Sequence, residues 1–556
     1  MSKSTDKDLD DEEFTIVVEG KSLTCQKSLL REKSEYFRAM MDSSMLESQT
    51  NTVTLLNQEF SVLSSLIHFV KTGELKISCG GGNMKNITEA AVMLQIESAI
   101  ESCTAYWKKT LDHETCLNLM AFSKLLNLEN LFSCAKRHSL YYFSQVRQSI
   151  DFLQMEVEEL TEYLSCPDLN CTSETEILDA IMAWYAHDKP GRKSLLNKLI
   201  PCFHGEDVQQ EEWEAVQNHK LINESEDWKT YINNIKEKGK EMKPEEKFRN
   251  LPVIILTFGG YIVEKGCEQP STDICKFDDS EKTFKPFHKL KDIYPEVGPK
   301  MGYQVTVIGK DVYLSGGQLS MTRYSMVMDV WKLDGFDLQW EKVTKLSSPR
   351  RHHGACGSQT SLFIMGGFGK YRDILDTVQQ YDTVDDKWTD LPKMPHTWFT
   401  PQAVCCENKL YVYKTHLICL DLVTLEWTTV RRTPCSVDNM NTFIPYYFNN
   451  CIYEFPFLDQ ELDWFYEFEL GKLQLQKTSL ETGKWEAVPY SDSIQFGNRS
   501  FVCNGKFYTI NRASNEFICG YMQDFSLCKE LGTQGKAGQD CFIVVFPHYP
   551  VYKIKS

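Results

Sequence analysis

The chain has 556 residues, 42% of them apolar, and carries a formal charge of −17 from 60 basic and 77 acidic side chains. That length exceeds a single hydrophobic core and predicts three or more folded units at about 100 to 200 residues each. The acidic balance argues against a surface that grips a phosphate backbone, so nucleic acid is not an expected partner, and no apolar run reaches the length that spans a membrane.

Twenty cysteines occur without a Cys-x-x-Cys pair and without an apolar leader after Met1. Reduced thiols in a cytoplasmic chain, or one that also enters the nucleus, are expected in place of disulfides, and neither a structural zinc nor another cofactor is expected. Residues 1–13 hold Asp6, Asp8, Asp10, Asp11, Glu12 and Glu13 and read as an acidic, self-repelling tail.

From Phe14 the pattern becomes that of a packed domain. A strand is predicted over Phe14-Thr15-Ile16-Val17-Val18-Glu19-Gly20, followed by Lys27-Ser28-Leu29-Leu30, by Ser34-Glu35-Tyr36-Phe37-Arg38-Ala39-Met40-Met41, and by Met45-Leu46-Glu47. A strand at Asn51–Leu55, the run Thr72–Ile77 and helical apolar spacing over Glu89–Ile96 complete it. In this order and spacing, residues 14–110 resemble a BTB domain, which implies an α+β fold. Glu13 and Cys25-Gln26-Lys27 replace the family's usual Asp and Ala-His-Lys, and the helix that family members exchange between protomers has no counterpart ahead of Phe14. Only a weak homodimer is therefore expected.

Residues 111–204 read as helices throughout. Cys116, Leu119, Met120 and Leu126 form one apolar stripe, and Ile177, Ile181 and Trp184 another, with Ser173-x-x-Glu176 as a capping box ahead of the second. Asp168–Glu174 with Ala183-Trp184-Tyr185 and Arg192 resembles the all-α BACK domain. Residues 205–250 form a charged connector, made partly helical by Trp213, Val216, Trp228 and Ile232.

The region 251–556 repeats itself. Gly259-Gly260, Gly316-Gly317 and Gly366-Gly367 recur 57 and then 50 residues apart, each behind an apolar strand. The third copy is clearest, with Ser361–Met365 before its glycines and Tyr381-Asp382 and Lys387-Trp388 after them. The period persists without glycines at Lys409–Tyr413, Cys451–Phe455 and Lys506–Ile510. This region resembles an all-β, six-bladed kelch propeller. The first unit lacks an innermost strand, and the apolar segment Asp540–Phe546 is expected to supply it, because an open edge would stay unpaired.

The whole chain thus resembles a BTB-BACK-kelch protein. That resemblance, and not periodicity, implies a non-catalytic adaptor that docks cullin-3 through its BTB and BACK parts and holds a protein substrate on the propeller for ubiquitination. It assigns the cullin contact to Met45, Leu46 and Glu47, with Phe152 in the auxiliary helices. For the substrate it points to Arg350, at the mouth of the central channel; Arg351, Tyr324, Tyr371, Arg372 and Trp398 are further candidates because arginines and aromatics are enriched in binding hot spots. Two other readings compete. A kelch-like ring also frames a copper-radical oxidase, but here only His352-His353 stand, on opposite faces of an expected strand. A kelch scaffold that recruits no ligase would share every feature except a working Met45-Leu46-Glu47 contact.

Overall fold

A computed structural model describes residues 12–43, 46–75, 81–171, 173–208, 212–238, 249, 251–264, 267–293, 301–319, 326–358, 360–432, 443–456, 475–480, 482, 484–490, 494, 496, 500–503, 505–511, 514, 516–523, 525, 527–533 and 541–554. It divides into two units, one of residues 1–251 with 550–556, the other of 252–549.

The first unit begins with a three-stranded sheet. Glu13–Val18 lies in its centre, antiparallel to Lys21–Gln26 and parallel to Thr52–Thr54. Alternation explains the packing: Phe14, Ile16 and Val18 point into the core, while the side chains between them do not. Glu12, which the sequence assigns to the tail, accepts hydrogen bonds from Lys27 and Asn51, so the fold takes up the chain before Phe14. Helices Phe60–Thr72, Gly81–Met93 and Glu97–Lys109 cover the sheet. Their buried Leu63, Leu66, Ile87 and Ala99 join one core with Phe14 and Phe37. Ser34 caps Glu35–Met41 by accepting from Phe37 N–H and also donates to Leu94 O, which ties that helix to the far end of the domain.

Helices continue through Cys116–Leu125, Glu129–Tyr141, Val157–Leu164 and Glu174–His187. Cys116, Leu119, Ile177, Ile181 and Trp184 are buried, whereas Met120 and Leu126 lie only at the margin of their cluster. Ser173 does cap Glu174–His187, through Thr175 N–H, and Glu176 accepts from Ser144 Oγ. The connector is no free linker. Val216, Trp228 and Ile232 are buried, and Trp228 donates its indole N–H to Leu196 O at 3.2 Å.

Two outlying pieces of chain are also fastened here. Arg249 bonds Glu174 Oε1 at 2.5 Å, Cys202 O at 2.7 Å and Cys166 O at 3.1 Å, with side-chain exposures of only 5% and 2% for Arg249 and Glu174. Tyr552 donates its hydroxyl to Asp168 at 2.6 Å and its backbone N–H to Ser133 Oγ at 3.0 Å, under the ammonium of Lys136.

The second unit is built from antiparallel four-stranded sheets. The second to fifth run through Met301–Ile308, Asp311–Gln318, Asp329–Leu333 and Trp340–Lys345; Gly354–Gly357, Ser361–Met365, Val378–Asp382 and Lys387–Leu391; Gln402–Cys406, Lys409–Tyr413, His416–Asp421 and Trp427–Arg432; and Phe443–Phe448, Cys451–Pro456, Gln476–Ser479 and Trp485–Ala487. The first, Val253–Phe258, Asp273–Asp278 and Thr283–Lys289, takes Phe542–Pro547 as its fourth strand, in register from Phe258 opposite Phe542 to Val253 opposite Pro547. The sixth, Phe501–Cys503, Lys506–Ile510, Glu516–Tyr521 and Leu527–Thr533, meets the first at Thr533 and Thr283.

Apolar clusters join each sheet to the next. Leu256 meets Leu314, Val330 meets Leu362, Phe363 meets Leu410, Tyr413 meets Ile452 and Phe455 meets Phe507. Phe517 of the sixth sheet then packs on Phe277 and Phe284 of the first, at 5.2 and 4.9 Å between ring centres. The repeat residues do this bridging: Trp388 Nε1 reaches Thr344 Oγ1 of the preceding sheet at 3.1 Å, and Trp427 Nε1 reaches Pro392 O at 3.1 Å. The double glycine is a close-approach device. At Gly367, φ is +89° and a Cβ would lie 2.8 Å from Arg351 O and from His353 Cα. In the fourth sheet Lys414-Thr415 holds the glycines' place and makes a two-residue hairpin into His416–Asp421.

Candidate functional site

In the first unit, Leu46 opens the short helix Leu46–Thr50 and is 70% exposed, while Glu47 beside it is half-buried. Thr50 Oγ1 donates back to Leu46 O and Ser48 Oγ to Ser43 O, which fixes the turn from which Leu46 projects. Met45 lies outside the described residues.

Phe152 must be corrected. It is fully buried, between Phe143 at 6.4 Å and Tyr163 at 6.2 Å, and so cannot touch a partner. Its helix, Ile150–Leu153, is capped by Ser149 Oγ, which accepts from Phe152 N–H. With Phe152 turned inward, Ile150 turns outward and is 67% exposed. The sequence signal that would have found it is the i, i+2 offset on a single helical turn, where two neighbours cannot share a face.

In the second unit, Arg350 must also be corrected. Only 1% of it is exposed, and its guanidinium donates to Gln379 Oε1 at 3.0 Å, Thr377 Oγ1 at 3.2 Å, Ser348 Oγ at 3.3 Å and Gly366 O at 3.4 Å. Gln379 in turn donates to Asp390 at 2.7 Å. Burial pulls the pKa of Arg350 down to about 10, with Asp390 opposing. This arginine is internal cement of the third sheet. Trp398 is likewise a packing residue, 6% exposed in the cluster between the third and fourth sheets and stacked on His396 at 5.2 Å. Tyr324 lies outside the described residues.

Arg351, Tyr371 and Arg372 come together in a different way. Arg351 and Phe368 exchange backbone hydrogen bonds of 3.1 and 2.8 Å, and Phe368 also bridges to Ile374. The loop between them is a small hairpin whose tip, Lys370-Tyr371-Arg372, is exposed, with Tyr371 at 70%. The Arg351 guanidinium lies 5.1 Å over the Phe368 ring, Phe368 stacks on Phe399 at 4.9 Å, and Lys414 Nζ lies 3.3 Å over Phe399. Lys414 is 2% exposed and donates to Phe399 O, and burial lowers its pKa to about 8. Sequence reasoning missed Lys370 and Lys414. The first was legible as a third polar residue beside Tyr371-Arg372, whereas the second depended on a chain fold that brings Phe399 across it.

His352 and His353 do not sit on a strand. His353 is fully buried with Nε2 3.0 Å from Ser315 Oγ, and His352, at φ +50°, turns its ring edge toward Phe368 at 6.2 Å.

Comparison with known proteins matches residues 6–111 to the BTB/POZ domain, 116–217 to BACK (BTB And C-terminal Kelch) and 349–395 to the Kelch motif. The kelch match spans the third sheet. Kelch-like protein 25 of Mus musculus is 26% identical over 435 residues, covering 74% of this chain and 70% of its own. Kelch-like protein 38 of Rattus norvegicus is 26% identical over 405 residues, 70% and 67% of the two chains. Kelch repeat and BTB domain-containing protein 2 of Homo sapiens is 25% identical over 429 residues, 73% and 66%.

Proposed function

The chain belongs to the BTB-BACK-kelch family, and on that premise we propose that it is a non-catalytic substrate adaptor for a cullin-3 ubiquitin ligase. The observation that carries the reading is the consecutive BTB, BACK and kelch matches on one chain. The cullin contact is the turn of Met45, Leu46 and Glu47, with exposed Ile150 in place of buried Phe152. The 252–549 unit is a six-bladed propeller: clusters that link each sheet to the next and the sixth to the first support a closed ring. Its substrate surface is the hairpin tip Lys370-Tyr371-Arg372 with Arg351.

Capture of the full chain from cells, followed by mass spectrometry, tests the cullin half. Wild type should recover cullin-3, and the double variant Met45→Ala, Glu47→Lys should lose it with an unchanged melting temperature. Unchanged recovery by the variant places the contact elsewhere. A wild type that recovers none leaves a kelch scaffold that recruits no ligase.

A further inference from the structure

The substrate surface carries a feature that a merely acidic partner leaves unexplained. Gly369 N–H donates to Asp373 O at 2.8 Å and Arg372 N–H to Gly369 O at 3.1 Å, so the hairpin tip holds one course, with Arg372 at φ +65°. The guanidinium of Arg351, on the neighbouring segment, lies over the Phe368 ring, 5.1 Å from its centre. Phe368 bridges to Arg351 on one side and to Ile374 on the other, so Arg351 and the tip that carries Arg372 belong to one small assembly of backbone bridges; burial, and then the charge of Arg372, lower the pKa of Arg351. Among the described residues neither forms an ion pair with a carboxylate, although Asp373 follows Arg372 directly.

Two arginines side by side repel until an anion lies between them. A carboxylate has two oxygens and one charge, which satisfy a single guanidinium fork. A phosphomonoester has three free oxygens and about two negative charges, enough to bridge both. Tyr371, 70% exposed between Lys370 and Arg372, adds an aromatic wall for the side chain next to it.

We propose that Arg351 and Arg372 together receive the phosphate of a phosphorylated residue in the captured protein segment, so that substrate capture depends on prior phosphorylation. This rests on the adaptor reading above and names the substrate class for that surface. Lys370 supplies a third positive charge at the rim of the same site, and Tyr371 packs against the residue that flanks the phosphate.

The test uses immobilised full-length protein and four degenerate peptide libraries that differ only in a central serine, glutamate, phosphoserine or phosphotyrosine. At least tenfold greater retention of a phosphorylated library than of the serine and glutamate libraries is expected, with the phosphoserine and phosphotyrosine arms identifying which residue carries the group. Inorganic phosphate and added salt should compete. Arg372→Ala, an exposed change, should lower the phosphate preference about tenfold with no shift in melting temperature. Arg351→Lys, which keeps the charge and the stem but loses the fork, should do the same. Equal retention of the glutamate and phosphorylated libraries, or a phosphate preference that survives both substitutions together, overturns the proposal. Retention of the serine and glutamate libraries that is lost in Tyr371→Ala overturns the phosphate while sparing the adaptor reading; a wild type that retains no library and recovers no cullin-3 removes both.

Discussion

Arg350 and Arg351 are neighbours in sequence with opposite fates, and the difference is one of backbone partners. Arg351 exchanges hydrogen bonds with Phe368 at the rim, while the side chain of Arg350 turns under the Gly366-Gly367 step to meet Gln379 and Thr377. Arg350→Ala removes charge-assisted bonds from a buried network, and urea unfolding of the full chain should show a loss of about 2 kcal/mol. A variant as stable as wild type would mean that solvent replaces the network fully. His353 gives the 252–549 unit an acid sensitivity. Burial, then the nearby charges of Arg350 and His352, hold its pKa well below the ordinary histidine value. The unfolded chain therefore binds a proton that the fold refuses, so this contribution is present above about pH 6.5 and declines at about 1.4 kcal/mol per unit as pH falls below it. Denaturant melts of the wild type between pH 7.5 and 5 should show that slope, and His353→Gln should flatten it.

At the scale of elements, the pairing of Phe542–Pro547 with Val253–Phe258 joins the two ends of the 252–549 unit. The strand packs Val544 and Phe546 against the first-to-second junction and Ile543 and Val545 against the sixth-to-first. Removing residues 538–556 should expose both clusters and lower the melting temperature of the whole 252–549 unit by about 10 °C or more, on the order of a few degrees per kcal/mol. Removing only 550–556 leaves that strand intact and should instead cost the helical unit about 1 to 3 kcal/mol through the lost Tyr552 bonds to Asp168 and Ser133. If the two truncations melt alike, the pairing of that strand is not what holds the 252–549 unit together. The repeat itself was legible because double glycines and paired aromatics do physical work in every copy that has them. The fourth sheet was legible only as a strand, since Lys414-Thr415 replaces the glycines with a hairpin that leaves no spacing signal.

For the molecule as a whole, the expected weak association through the BTB domain stands as a proposal. A stable interface needs about 1,200 to 2,000 Å² of buried surface. Analytical ultracentrifugation of the full chain between nanomolar and micromolar concentration should give a mass that rises with concentration. A dimer that persists at nanomolar concentration would overturn the expected weak association.

Period and alternation were enough to determine the helical middle and the repeated sheets, because each element's pattern reports which of its faces is apolar, while the α+β front followed from its resemblance to a BTB domain. The resemblance singled out Leu46, and the loop after the third glycine pair placed Tyr371 and Arg372 at an exposed tip. They could not tell which arginine of Pro349-Arg350-Arg351 faces solvent, that Phe152 and not Ile150 fills the helical core, or that Lys414 lies beneath Phe399. Those outcomes depend on which distant segment packs against each side chain: Gln379 for Arg350, Tyr163 for Phe152 and Phe399 for Lys414. Burial is a property of pairs brought together by the fold, and a linear pattern carries only one member of each pair.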